Sequence, residues 1–262
     1  MNHEKPPQKV RAVDRTLNIL FFIASSADPL TLADISGSTG VDKATALRLL
    51  ATLESFRLVQ RDEKNRTYAI GSGAWQLASS YQAALKAISE NHLRNLRDIT
   101  GESVSLVVAR GMDRVMLMAM EASHELRVVP QLNSVVPVYS GASGKVFMAF
   151  MSSDKREKVI EMTGLRPVNE RSVTDRDSFL ASLEEVRREG FSVSRGDVTL
   201  GADAIAAPIF DPQGEIIAVV SLRGPEARLT SDRVKKLSPL VVEAARNIAD
   251  DLSGGGRSSA AM

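Results

Sequence analysis

The sequence predicts an α+β protein in two parts: a small helical unit closed by a hairpin, and a larger unit of helices on an antiparallel sheet. Three observations lead there. Over the first seventy or so residues, apolar side chains recur at helical spacing and give way to one short β-hairpin. From Ser103 the period changes to that of strands, joined by turns such as Arg110-Gly-Met-Asp-Arg114. Strands and helices then come in blocks, which favours an antiparallel sheet over the parallel sheet of strict β–α alternation. A length of 262 residues is ample for two domains.

Composition removes several function classes. With 44% hydrophobic and 25% charged residues the chain is an ordinary globular one. It has no cysteine, so disulfides, thiolate catalysis and cysteine zinc sites are excluded. The three histidines, His3, His92 and His124, are scattered, and no metal site is expected. The opening MNHEKPPQKVRAV lacks the apolar segment of a secretory signal, and no apolar run approaches the ~20 residues that span a bilayer. A cytoplasmic protein with no membrane partner is expected. Net charge is +1, divided as +2 over residues 1–80 and −1 over the remainder. That bias is too slight to argue for nucleic acid, so the argument rests on pattern.

Residues 1–9 read as a flexible N-terminus. From Val10, Val13, Leu17, Leu20 and Ala24 recur at helical spacing, and Asp28-Pro29 ends the helix, because proline disfavours helical geometry in the residue before it. Thr31 with Asp34 forms a capping-box pattern for a short helix whose inward edge is Leu32 and Ile35. Gly40 supplies a tight turn, Val41 a buried plug and Asp42 an N-cap for the next helix. That helix carries an apolar stripe of Ala46, Leu49, Leu50 and Leu53, which leaves Lys43, Ala44, Thr45, Leu47 and Arg48 outside near its N-terminal end. Two short helices joined by a glycine turn after a longer apolar helix form a helix-turn-helix, whose second helix presents its N-terminal end to the major groove. An ordinary helical hairpin with a solvated face has the same helical pattern. The hairpin that follows, Leu58–Arg61 and Thr67–Ile70 with Lys64 and Arg66 at its tip, favours a winged helix over residues 10–72, with the tip placed to touch backbone phosphate.

These residues resemble the IclR (isocitrate-lyase regulator) family. The likeness begins with RAVDRTLNIL, LTLADISGSTGVDKATALRLLATLESFRLV and RTYAIGSGAWQLA. It continues through VVPVYSGASGKVFMAF, EEVRREGFSVSRGD and GADAIAAPIFDPQGEIIAVVSLRGP, covering roughly residues 10–252. One departure is Ala44, where recognition helices of the family often carry serine.

Beyond the wing, Gly71 and Gly73 are expected to break the chain before a linker helix (73–84, its regular part from about Trp75), with Trp75 packed at the domain junction. A second helix follows from about Leu85 to Ile99. Strands are expected at Ser103–Ala109, Val115–Glu121, Leu126–Pro130, Val135–Tyr139, Phe191–Arg195, Asp203–Phe210 and Glu215–Arg223. Helices are expected at Ala142–Met162 (broken near Ser152 and Ser153), Phe179–Glu189 and Thr230–Leu252, in a domain spanning 85–252, with a disordered tail over 253–262. The resemblance implies a GAF-like α/β fold for this domain and an effector cavity lined by the positions matching Gly141, Ala142, Ser143, Gly144, Ser194, Ala204 and Ser221, with Arg223 close by. Ser140–Gly144 also has a reading of its own, since a strand turning into a helix among small residues offers amide groups to a carboxylate or phosphate. Arg223 or those amides would anchor an acid group, with Ser221 adding a hydrogen bond. Ala204, with Leu106, Val108, Met116 and Met118 on nearby strands, hints at an apolar pocket for an aromatic or bulky acid.

Catalytic motifs fail on inspection. Gly141-Ala-Ser-Gly-Lys145 has Tyr139 and Val146 where a phosphate loop needs glycine and Ser/Thr. There is no Gly-x-Ser-x-Gly elbow, and Ser152 with Lys155 reads as a helix start. No catalytic residue, cofactor or metal is expected. The sequence therefore reads as a homodimeric or tetrameric regulator, binding double-stranded DNA at a palindromic operator under control of a small carboxylate effector. Two readings of other classes stay open: a small-molecule enzyme with a helical N-terminal domain, and a sensor whose winged helix binds protein.

Overall fold

The computed structural model describes residues 10–26, 28–129, 131–132 and 134–254, and the chain divides into two compact units between Ala83 and Ala84. The expected flexible N-terminus lies outside the described residues, as does the expected tail apart from Ser253 and Gly254, which form the C-cap turn of the last helix.

The first unit opens with α1 (Arg11–Ser25), β1 (Leu30–Thr31), α2 (Leu32–Thr39) and α3 (Lys43–Ser55). The hairpin β2 (Val59–Asp62) and β3 (Thr67–Ile70) follows. Thr31 and Asp34 form the capping box on α2, and Gly40 ends that helix at φ 65°. The Asp42 carboxylate accepts the Thr45 amide at 2.9 Å and so starts α3. A compact core gathers Ile19, Ile23, Ile35, Val41, Ala46, Leu50, Leu53, Val59 and Tyr68. The short β1 pairs with β3 and makes the wing a three-stranded sheet in the order β1-β3-β2. The inward face of α1 is a correction: Ile19 and Ile23 are buried, whereas Val13 and Leu17 of the expected stripe stand exposed.

Residues 72–100 form one unbroken helix, α4 (Ser72–Thr100), in place of the two expected. Gly73 does not interrupt it. Gly71 and Gly73 are required for packing, since a Cβ would lie 2.3 Å from Arg57 O at the first and 2.6 Å from Phe56 O at the second. Trp75, expected to pack at a junction, is 74% exposed.

The second unit continues with β4 (Ser103–Arg110), β5 (Asp113–Met120), β6 (Val135–Pro137), α5 (Gly141–Phe150), α6 (Ser153–Thr163) and α7 (Arg176–Glu189). It ends with β7 (Ser192–Arg195), β8 (Ala202–Phe210), β9 (Ile216–Pro225) and α8 (Ser231–Leu252). The strands form one antiparallel sheet in the order β6-β5-β4-β9-β8-β7. Residues 126–129 form no strand, and Leu126 and Val129 are exposed. Alternation along the strands builds two cores. On one face Val104, Leu106, Ile205, Val220 and Leu222 pack with Leu85, Leu93 and Leu96 of α4 and with α8. On the other, Val107, Ala204, Ala206 and Val219 pack under α5, α6 and α7.

Candidate functional site

Two regions could carry function. The first is the outer side of α3 and the wing. Ala46, Leu50 and Leu53 are buried and hold the helix down, with Leu49 half-buried. This turns Lys43, Ala44, Leu47 and Arg48 outward, all exposed, while Thr45 is half-buried on the Asp42 cap. Bonds from the amide and side chain of Thr45 keep the Asp42 carboxyl below its ordinary pKa. At the wing tip, Asp62 accepts the amides of Lys64 (2.9 Å) and Asn65 (3.1 Å), and Arg66 takes a left-handed φ of 56°. The turn is thereby fixed, with Lys64 and Arg66 exposed. Such a surface matches the needs of a duplex: a helix N-terminus and cations for phosphates, and short side chains on the groove-facing side of the helix.

The second region is a cavity of about 20 Å³ on the sheet face beneath α5. Its walls bring together seven of the nine pocket residues expected from sequence: Gly141, Ala142, Ser143, Ser194, Ala204, Ser221 and Arg223. Ser140 lines a neighbouring recess with Lys145 and Asp197. Gly144 lines neither; a Cβ there would lie 2.7 Å from the carbonyl carbon of Tyr139, so this glycine serves close packing. The N-terminus of α5 opens on the cavity. Its N-cap residue, Ser140, donates its hydroxyl to Pro137 O (3.0 Å) and leaves the first-turn amides without a side-chain cap. Buried helix amides of this kind favour an anion.

The strongest cations at this site escaped the sequence reading in part. Arg114, on β5, lines the cavity with Arg223. Its Nε donates to Ser140 O at 3.2 Å, and its Nη2 would stand 3.3 Å from a Cβ on Gly141. Arg223 donates to Thr199 Oγ1 at 3.2 Å. Desolvation first, and repulsion from Arg223 second, pull the Arg114 pKa down to about 10 against the attraction of Asp197; desolvation lowers that of Arg223. The signal for Arg114 was present in its spacing, two residues from Met116 on one face of a strand.

The expected apolar lining is corrected. Met116 reaches the cavity, but Leu106, Val108 and Met118 belong to the opposite face. A β-bulge explains the split between the two methionines: Leu106 pairs with Met118 and Val107 with Met116, so the extra residue, Leu117, reverses the alternation. Polar groups of Ser105, Ser143, Ser194, Ser221 and the two arginines make up much of the wall. Val198 closes part of the wall, and its segment is tied down by Asn169 to Gly196 O (2.9 Å), Ser172 to Asp197 O (3.0 Å) and the Lys145–Asp197 ion pair at 3.2 Å.

A winged helix with an outward basic face, joined to a second unit built around a small anion-friendly cavity, defines a class: DNA-binding transcriptional regulators. Comparison with known proteins narrows it. Residues 12–63 match the family model described as the IclR helix-turn-helix domain, and residues 78–250 that of the bacterial transcriptional regulator IclR C-terminal. The HTH-type transcriptional repressor AllR of Salmonella typhimurium is 27% identical over 244 residues, covering 92% of this chain and 90% of that protein. AllR of Escherichia coli K12 matches at the same identity and coverage. Among solved structures, an IclR regulator from Alicyclobacillus acidocaldarius is similar with a TM-score of 0.62 and 26% identity, over 94% of this chain and all of that one. The chain belongs to the IclR family of bacterial transcriptional regulators. It is a regulator and not an enzyme. Among the described residues, no helix is long and apolar enough to cross a membrane.

Proposed function

We propose that the chain is a homo-oligomeric regulator that binds a palindromic operator through Lys43, Ala44, Thr45, Leu47 and Arg48 of α3 and Lys64 and Arg66 of the wing. A carboxylate effector in the cavity below α5 controls it. One observation carries the DNA reading: the side of α3 that bears Lys43, Ala44, Leu47 and Arg48 is exposed while its opposite stripe is locked into the core. The oligomer is supported by α1, where Val13, Leu17 and Phe21 form an exposed apolar row, extended at its N-cap by Val10. Three such side chains on one helix, with a fourth at its N-cap, suit a second copy of the chain, and a two-fold dimer reads an inverted repeat. The effector reading rests on the uncapped amides of Ala142 and Ser143 and on the cations beside them. A regulator that reads an operator works beside the chromosome, so the proposal places the chain in the cytoplasm.

Selection from a library of random duplexes tests the DNA half. The expected product is an inverted repeat whose enrichment disappears when Lys43, Arg48, Lys64 and Arg66 are all alanine. Enrichment that survives the fourfold variant, or no enrichment with the native chain, would refute the assignment and favour a winged helix that contacts protein.

A further inference from the structure

Resting on the proposal that the cavity below α5 is the effector site, we infer that its ligand is a small dianion, clamped between Arg114 and Arg223 with the α5 amides completing the site.

Charge accounting within the cavity leads there. Lys145 and Asp197, both with side chains under 15% exposed, neutralise one another at 3.2 Å. Other arginines of this unit have carboxylate partners: Arg195 has Asp203 and Arg228 has Glu102. Arg114 and Arg223 are different. Among the described residues neither has an ion-pair partner, and each hydrogen-bonds to a neutral oxygen, Ser140 O for one and Thr199 Oγ1 for the other. Both are half-buried on the same cavity wall; Arg223 raises the cost of the Arg114 charge, and Asp197, already paired with Lys145, offsets only part of it. Partly buried charge without a counterion is destabilising, so folds carry it where a ligand supplies the opposite charge. Two guanidinium groups, with the positive end of a helix beside them, call for about two negative charges; a monocarboxylate leaves one cation unmatched.

Size sets a second limit. The wall beside Arg114 is built of Gly141, Ala142, Ser143, Ala202 and Ala204, and the cavity between them and the two arginines is about 20 Å³. A cavity of that size holds about one water, so a ligand of a few heavy atoms enters only if the Arg114 and Arg223 side chains swing aside, which favours a small ligand. Short dicarboxylates and phosphate monoesters share this chemistry.

Isothermal titration of the full-length chain tests it. The probes are the C3–C6 straight-chain dicarboxylates, benzene dicarboxylates, methyl phosphate, and a matched monocarboxylate and neutral diamide for each length. The expected result is at least tenfold tighter binding of one dianion than of its matched monoanion, with the dicarboxylate and phosphate arms showing which source it is. Arg114→Gln and Arg223→Gln should each weaken that dianion at least tenfold and shrink its preference over the monoanion to under threefold. The melting temperature of each unliganded variant should stay level or rise, since an uncompensated charge is removed; a structural role would lower it. A monoanion or diamide that binds as well as the dianion, or a preference that survives both substitutions, would overturn the dianion assignment and leave the effector pocket standing. Absence of binding by every probe, with operator affinity unchanged by all of them, would overturn both.

Discussion

Replacing Glu102 with glutamine should destabilise the second unit by about 3 kcal/mol. Glu102 follows Gly101, the residue at φ 72° that ends α4, and its side chain is fully buried. Its two oxygens accept Nε and Nη2 of Arg228, each at 2.7 Å, and Arg233 lies 3.7 Å away. Arg228 also donates to Leu126 O and Arg233 to Thr100 O, so one carboxylate ties α4, the 126–129 segment and the start of α8 together. A Cβ on Gly224 would come within 2.6 Å of this carboxylate, so β9 passes tightly over it. Glutamine keeps the shape but turns an amide NH₂ toward a guanidinium, leaving donor against donor. Breaking a buried pair by removing one partner costs roughly 3–5 kcal/mol. Arg228 is 24% exposed and can turn partly to water, which places the cost near the lower end. For a unit of this size about 3 kcal/mol corresponds to a fall of roughly 6–12 °C in Tm. Differential scanning calorimetry of the full chain would read it on the transition of the second unit. Glu102→Gln combined with Arg228→Met should recover part of the loss, because no unpaired guanidinium then remains. A fall below 2 °C for the single variant would refute the reasoning and show that backbone contacts alone hold this corner.

Three further outcomes follow from the structure. Because hydrogen bonds from Thr45 hold Asp42 below the ordinary carboxylate range, the stability it lends is complete above about pH 4 and is lost as pH falls through its folded pKa. Asp42→Asn keeps a good cap that does not titrate, so the first unit of the variant should melt with a shallower acid dependence, followed by circular dichroism. Phe21→Glu, at a side chain 70% exposed on α1, should leave the fold intact and shift the chain to monomer by light scattering, with operator binding weakened at least tenfold; an unchanged oligomer would remove α1 from the interface. Gly141→Ala places a Cβ 2.6 Å from Val198 at φ 70°, and should abolish anion binding measured by calorimetry while the first unit still binds DNA.

Local chemistry was the most legible part of the sequence. Thr31 with Asp34, Gly40, and Asp42 with Thr45 act within a few residues, and spacing alone identifies them. Features decided at a distance were harder to read. β1 is two residues long and exists because β3 is available to pair with it. The split expected within α4 marked the point where Leu85 begins to be buried, and no helix breaker stands there. On α1 apolar residues occupy more than one face, so periodicity could not tell the stripe that meets the core at Ile19 and Ile23 from the one left exposed. The loop glycines and serines of the cavity could be named because they resemble a family pattern. Arg114 escapes that reading although its spacing puts it on the face of Met116, because β5 meets β9 only through β4 and spacing does not show that this face meets Arg223. Its importance lies in what faces it across the cavity, and no local pattern carries that.

The central claim is that ligand in the second unit governs DNA binding by the first. Fluorescence anisotropy on duplexes from upstream of the protein's own and neighbouring genes tests it, at two salt concentrations, with and without the dicarboxylate and phosphate panel. Binding should be specific and weaken with salt as phosphate contacts are screened. One dianion should shift operator affinity about 5- to 150-fold, the usual range of coupling between two sites, and Arg114→Gln should erase that shift without changing affinity in its absence. Affinity no better than for random duplex, or specific binding that no ligand of the cavity alters, would contradict the account.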